Sequence, residues 1–296
     1  MNNTIFTGAC VALVTPFNDD FSVNYKKLEE LVEFQIANGT DAICACGTTG
    51  EASTLTLEEH DEVIKRVIEI VNKRVPVVAG TGSNDTAYGI ATSERAEKMG
   101  ADALLLVTPY YNKTSQYGLV QHYKAMAETI KLPFIVYNVP GRTGMNITPA
   151  TVKELTKIPN VVAIKEASDN VGQVSQIAAM CGDDIDIYSG CDDLIVPIMS
   201  VGGKGVISVL SNVIPKETHE MAQACLDGDY ARARELQLGY FDLCKALFAD
   251  VNPIPVKAAL NLMGFEVGPC RAPLYDITPA ALEQLRTALD AHGLLK

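Results

Sequence analysis

The run Val161-Val162-Ala163-Ile164-Lys165-Glu166 sets a charged amine at the tip of an otherwise apolar strand. A lysine is rarely buried unless something holds it. An unbroken apolar run, in contrast to an alternating one, predicts a strand covered on both faces, the mark of a parallel sheet. Similar runs lie on either side of this one: Gly8–Val14, Ala42–Cys46, Val77–Ala79, Ala103–Val107, Phe134–Tyr137, Ile185–Ser189 and Gly205–Ser208. Each is closely followed by Gly, Pro, Ser, Thr or Asn. Between them lie helix-like segments such as Leu57–Val71, with Leu57, Val63, Ile64, Val67, Ile68 and Val71 on one side, and Thr86–Met99, Gln116–Ile130 and Val171–Met180. Asn84 and Ser115 are expected N-caps, and Gly39, Gly100 and Gly182 expected helix stops.

Strands alternating with helices make parallel βα units, and eight of them match a closed (β/α)8 TIM barrel. A doubly wound open sheet competes, but Gly80-Thr81-Gly82-Ser83-Asn84-Asp85 lacks the third glycine of a dinucleotide turn. Gly202-Gly203-Lys204-Gly205 lacks P-loop spacing. From Pro215 onward the pattern is helical only: Lys216–Leu226, Tyr230–Phe248, Pro255–Met263 and Pro279–His292. The expected division is a catalytic barrel over 1–224 and a C-terminal helical extension over 225–296.

The chain has 296 residues, 48% hydrophobic and 20% charged, with net charge −12. That apolar fraction supports a sizeable core. The acidic balance argues against nucleic acid and anionic membrane as partners. The start lacks a signal-type apolar core, and no apolar stretch reaches transmembrane length, so a soluble, cytoplasmic protein is expected. The eight cysteines include no C-x-x-C pair, which favours reduced thiols packed in a core. Cys44 and Cys46 have strand spacing and are expected on one face. The histidines His60, His122, His219 and His292 are scattered, so neither a metal nor a cofactor is expected.

In a barrel of this kind, chemistry gathers where strands end. Those ends carry Gly47-Thr48-Thr49-Gly50-Glu51, Thr108-Pro109-Tyr110-Tyr111-Asn112, Tyr137-Asn138-Val139-Pro140-Gly141-Arg142-Thr143-Gly144, Lys165-Glu166, Ser189-Gly190 and Ile207-Ser208. Singly, each has a dull explanation: a turn, ordinary packing, a solvated arginine. Together they set an amine, phenols, hydroxyls and a guanidinium around one mouth. A lysine held partly out of water, with no carboxylate partner, loses its proton more easily and can form a Schiff base with a keto acid. The glycines of the Gly47–Gly50 turn let backbone N–H groups approach a small carboxylate. Tyr137 can shuttle a proton, and Arg142 offers a fork for a second carboxylate.

The Gly47–Glu51 turn, the Tyr137–Gly144 segment and strand-end Lys165 together resemble the dihydrodipicolinate synthase family, a branch of the pyruvate-dependent class I aldolases. The resemblance spans the chain, from Thr7-Gly8 through Asn252-Pro253-Ile254-Pro255-Val256-Lys257 to the last helices. It implies a TIM barrel with a C-terminal helical domain, a homotetramer built from tight dimers, and condensation of pyruvate with L-aspartate 4-semialdehyde on the route to diaminopimelate and lysine. By the same resemblance Lys165 forms the imine. Tyr137, Thr48 and a Tyr111 from the neighbouring subunit relay protons, and Thr49 holds the pyruvate carboxylate. Arg142 binds the semialdehyde carboxylate, and Gly190 and Ile207 line the pocket. Rival readings are a pyruvate aldolase acting on sialic or 2-keto-3-deoxy sugar acids, a metal-dependent aldolase, and a non-catalytic binding protein on a barrel scaffold.

Members of that family that are inhibited by lysine bind it at a dimer interface. The matching positions here keep His60, Asn84 and Tyr110, but Leu57 stands where a histidine is frequent and Tyr88 where a glutamate is. Without that carboxylate an ammonium loses a partner, so weak or absent feedback inhibition is expected. Titration of the activity with lysine checks this: little inhibition below about 1 mM, an affinity of about 4 kcal/mol, is the expected result, and strong inhibition there contradicts it.

Overall fold

The computed structural model describes residues 4–296. Eight strands close into one parallel barrel in sequence order. They are β1 (Gly8–Ala12), β2 (Ala42–Ala45), β3 (Val77–Gly80), β4 (Ala103–Val107), β5 (Phe134–Asn138), β6 (Val161–Glu166), β7 (Asp186–Ser189) and β8 (Gly205–Ser208). The expected (β/α)8 architecture is present. The side-chain period of two sorts the residues into two layers. Cys10, Cys44, Ile135, Tyr137, Ala163, Tyr188 and Ile207 fill the barrel interior, while Val11, Ile43, Val136 and Ile164 face the surrounding helices.

Closure depends on β1 and β8, which pair with Gly8 opposite Gly205. A Cβ on Gly205 would lie 2.0 Å from the Gly8 carbonyl oxygen, so only glycine permits the approach. Gly8 itself takes φ 101, and the Asp41 carboxylate beside it accepts from Ala9 N at 2.7 Å and pairs with His219 at 2.8 Å. That His219 lies on the helix Pro215–Leu226, which completes the eighth βα unit.

The helices form where the apolar spacing and caps place them. Leu57–Val71 begins on a capping box between Thr56 and Glu59 and buries Val63, Ile64, Val67 and Val71. Ser115 caps Gln116–Ala127 by accepting from Gly118 N. Some details differ from expectation. The cap of Thr86–Met99 is Asp85 rather than Asn84, because the Asp85 carboxylate accepts from two amides while Asn84 turns to Tyr110 O at 3.2 Å. The segment 230–248 is two helices, Tyr230–Gly239 and Phe241–Ala246, since Tyr240 leaves helical geometry at φ −109. Cys44 and Cys46 do not share a face: β2 stops at Ala45 and Cys46 turns left-handed at φ 55, sending its thiol toward His60 O in the helix layer. From Tyr230 on, Leu243, Leu247, Leu260, Leu285 and Leu289 join the same apolar cluster as the outer face of the barrel, so the extension shares its core.

Because the Gly8–Gly205 position of the β1–β8 seam admits no side chain, Gly205→Ala is expected to lower the unfolding free energy by at least the ~1–3 kcal/mol typical of overpacking. Denaturant titration measures the loss; an unchanged midpoint contradicts the seam's role.

Candidate active site

Parallel register sets Tyr137 of β5, Lys165 of β6 and Tyr188 of β7 in one row across the barrel. All three point inward and are buried. Lys165 is 6% exposed; its Nζ lies 4.4 Å from the Tyr137 ring centroid, and among the described residues no carboxylate comes within ion-pair distance of it. Tyr188 closes the floor by stacking on Phe6 at 4.2 Å and donating to Phe6 O at 2.7 Å. Gly190, just past β7, makes room for the lysine arm: a Cβ there would lie 3.1 Å from Lys165 Cε and 2.7 Å from Ala167 Cβ.

Above this row opens a cavity of about 670 Å³ lined by Thr48, Thr49, Tyr137, Arg142, Lys165 and Gly190, together with Asn252 from the C-terminal segment. Thr49 is buried and Thr48 exposed to the cavity. Among the described residues no acceptor meets the amides of Thr48, Thr49 or Gly50, which leaves these donors available to an anion. Arg142 stands on the one-turn helix Pro140–Thr143 and donates through Nη2 to Asn252 O at 3.0 Å. The Asn252 side chain in turn donates to Thr49 Oγ1 at 3.1 Å. One residue thereby fixes the distance between the two candidate carboxylate sites, the turn and the guanidinium.

Behind β6 the chain directs its second charge outward. Glu166 is 1% exposed and accepts from Asn138 Nδ2, Ser168 N and Gln173 Nε2 at 2.9–3.1 Å. Burial pushes its pKa up, and these hydrogen bonds oppose the rise. The network ties β5, β6 and the following helix together at the strand end next to Lys165.

Six of the residues expected at the site thus share one cavity: Lys165, Tyr137, Thr48, Thr49, Arg142 and Gly190. Ile207 lies within the barrel interior with Cys10, below the residues that line the cavity. Tyr111 is 92% exposed, in a left-handed conformation at φ 64, and faces away from the cavity of its own chain. Among the regulatory candidates, Asn84 and Tyr110 are joined by a hydrogen bond. His60 is buried with Nε2 3.0 Å from Gly80 O, and Leu57 and Tyr88 are exposed. Asn252 and Asp192 escaped the strand-end reading, and Glu166 stood in it without a role. For Glu166 the signal was present, a second charge in an apolar strand; Asn252 lies in a turn and Asp192 opens the 3-10 turn Asp192–Leu194, and their partners are distant in sequence.

Residues 5–292 match the model of the dihydrodipicolinate synthetase family. The chain belongs to that family. It is 57% identical, over the full length of both chains, to a 4-hydroxy-tetrahydrodipicolinate synthase of Acetivibrio thermocellus. The chloride-inhibited dihydrodipicolinate synthase of Acinetobacter baumannii, solved with pyruvate, superposes with a TM-score of 0.97 at 45% identity, covering 99% of this chain and 100% of that one. A lysine-bound family member from Cyanidioschyzon merolae gives 0.96 at 44% identity, with the same coverage. The protein is accordingly a lyase of the 4-hydroxy-tetrahydrodipicolinate synthase type.

Asp192 on the cavity wall is buried, and its Oδ2 accepts from Val209 N and Leu210 N at 3.1 and 2.9 Å. Burial raises its pKa above the ordinary 3.8, with hydrogen bonds and the Lys165 charge opposing. A carboxyl whose folded pKa is raised stabilises the fold below its unfolded pKa and loses that contribution as pH rises through the folded value. The stability of Asp192→Asn relative to the parent is therefore expected to improve as pH rises from about 4. Denaturant titrations across pH 4–8 test this, and a flat difference contradicts it.

Proposed function

We propose that Lys165 carries the family's reaction, joining pyruvate to L-aspartate 4-semialdehyde with loss of one water to give 4-hydroxy-tetrahydrodipicolinate. The observation that supports this most is the buried amine without a carboxylate contact, facing one cavity with Tyr137, the Gly47–Gly50 turn and Arg142. The Lys165 amine attacks the pyruvate ketone, and loss of water leaves a cationic imine. That cation draws electrons from the C3–H bond, a proton leaves, and the enamine adds to the aldehyde carbon of the second substrate. The substrate's own amine then displaces Lys165 as the ring closes.

Protons move at the imine nitrogen and the new alkoxide. We assign Tyr137, Thr48 and Tyr111 to this relay. Tyr137 stands next to Lys165, Thr48 on the facing turn, and Tyr111, exposed on its own chain, would enter from a neighbouring subunit. A Tyr111 shared in this way calls for a dimer, and the homotetramer of tight dimers follows from the family resemblance. Thr49 and the free amides of the turn receive the pyruvate carboxylate, and Arg142 takes that of the semialdehyde. Gly190 clears the lysine arm, and Ile207 backs the pocket from within the barrel. Asn84 and Tyr110, together with the buried His60, are assigned to a regulatory site, with Leu57 and Tyr88 weakening its hold on lysine. The barrel over 1–224 carries the chemistry, and 225–296 supplies Asn252. Among the described residues no helix is long and apolar enough to cross a membrane, in keeping with the cytoplasmic assignment.

Borohydride reduction in the presence of pyruvate, followed by peptide mass analysis, tests the assignment. A pyruvate-derived mass on the peptide containing Lys165, lost in Lys165→Ala, is expected; an unmodified peptide defeats the imine. Faster cleavage of sugar acids than condensation with the semialdehyde would defeat the second substrate.

A further inference from the structure

The Gly47–Gly50 turn is anchored from outside the barrel. Glu51, which ends it, is left-handed at φ 54, a strained conformation for a residue other than glycine. Its carboxylate is buried and both oxygens are occupied: Oε1 accepts from Lys257 Nζ at 2.8 Å and Oε2 from Arg271 N at 2.9 Å. Lys257 is 1% exposed; its ammonium also donates to Thr15 O and Pro269 O and stands 4.2 Å over the Phe17 ring. Burial pushes the Lys257 pKa down and Glu51 opposes that shift. Thr15, on the loop after β1, closes the circuit by donating through Oγ1 to Gly50 O at 2.6 Å. One buried ion pair thus joins the loop after β1, the turn after β2 and the C-terminal segment that carries Lys257, Pro269 and Arg271.

We propose that Glu51 and Lys257 are positioning residues that aim the amides of Thr48, Thr49 and Gly50 at the pyruvate carboxylate, so that the C-terminal helical segment sets the enzyme's affinity for pyruvate. The inference rests on the reading of that turn as the pyruvate carboxylate site. Neither side chain touches substrate, since the carboxylate is fully committed and the ammonium lies behind the turn. A buried ion pair gains little over well-packed apolar residues, so stability alone is a poor account of this one. What the pair does provide is a fixed direction for a strained turn. It differs in this from Asn252, which sets the spacing between turn and guanidinium.

Steady-state kinetics on the charge-neutral double variant Glu51→Gln/Lys257→Met, with thermal unfolding alongside, decide the matter. A change confined to KM marks lost binding of one substrate. The expected result is a pyruvate KM raised about tenfold, and not less than about threefold, the scale of one or more lost hydrogen bonds. The KM for L-aspartate 4-semialdehyde stays within about twofold of the parent. A pyruvate KM below that threefold limit overturns the proposal, whatever happens to kcat or the unfolding temperature. Thr15→Val, which removes only the hydroxyl contact with Gly50, is the second variant, and it decides alone if the double variant does not fold. It is expected to raise the pyruvate KM by about threefold, with Thr15→Ser restoring it, and an unchanged KM overturns the proposal. Borohydride trapping of Lys165 at saturating pyruvate should persist in both variants, so a failure here is distinguishable from a failure of the imine itself.

Discussion

The seam between β1 and β8 is the constraint on which the rest of the molecule depends. Eight parallel strands bury their edges only if the last pairs with the first, and here the pairing demands two glycines face to face. Once closed, the barrel directs every strand C-terminus toward one mouth. Lys165 at the end of β6, Tyr137 and Arg142 at the end of β5 and the Gly47–Gly50 turn after β2 come from three strands, yet closure leaves them a single small volume to share. A sheet left open would spread the same residues along an edge.

Burial creates a problem that two lysines, Lys165 in the barrel and Lys257 in the C-terminal segment, solve differently. An ammonium taken out of water has a large solvation deficit unless charge and hydrogen bonds replace the water. Lys257 receives full replacement: a carboxylate, two carbonyls and an aromatic face. Lys165 has the Tyr137 ring and no carboxylate contact. The first is therefore a fixed structural cation, and the second an amine whose chemistry is uncommitted. Burial alone does not separate these roles; their hydrogen-bond and charge partners do.

The same contrast explains what the sequence could reveal. Strand identities, barrel closure and the strand-end residues were legible because local patterns carry them: apolar runs, turn residues, and a lysine where an apolar side chain was due. The Asp85 cap, the break at Tyr240 and the turning of Cys46 out of its strand were not, because each is decided by one or two backbone dihedrals that hydrophobic spacing does not encode. Asn252 and Lys257 were quoted only as part of a family resemblance. Their partners Thr49 and Glu51 lie some two hundred residues away, and contacts of that span leave no periodic trace in a single chain.

That distance has a consequence for how the site works. Each candidate carboxylate site is local in sequence, a four-residue turn or a single helical turn, and neither is long enough to hold its own geometry. Their mutual placement comes from the segment 252–271, which touches the turn through Asn252, Lys257 and Arg271 and the guanidinium through Asn252. The barrel supplies the buried amine and the floor closed by Tyr188. The segment beyond it fixes the spacing between the turn and the guanidinium, and so shapes the cavity as well as covering apolar surface.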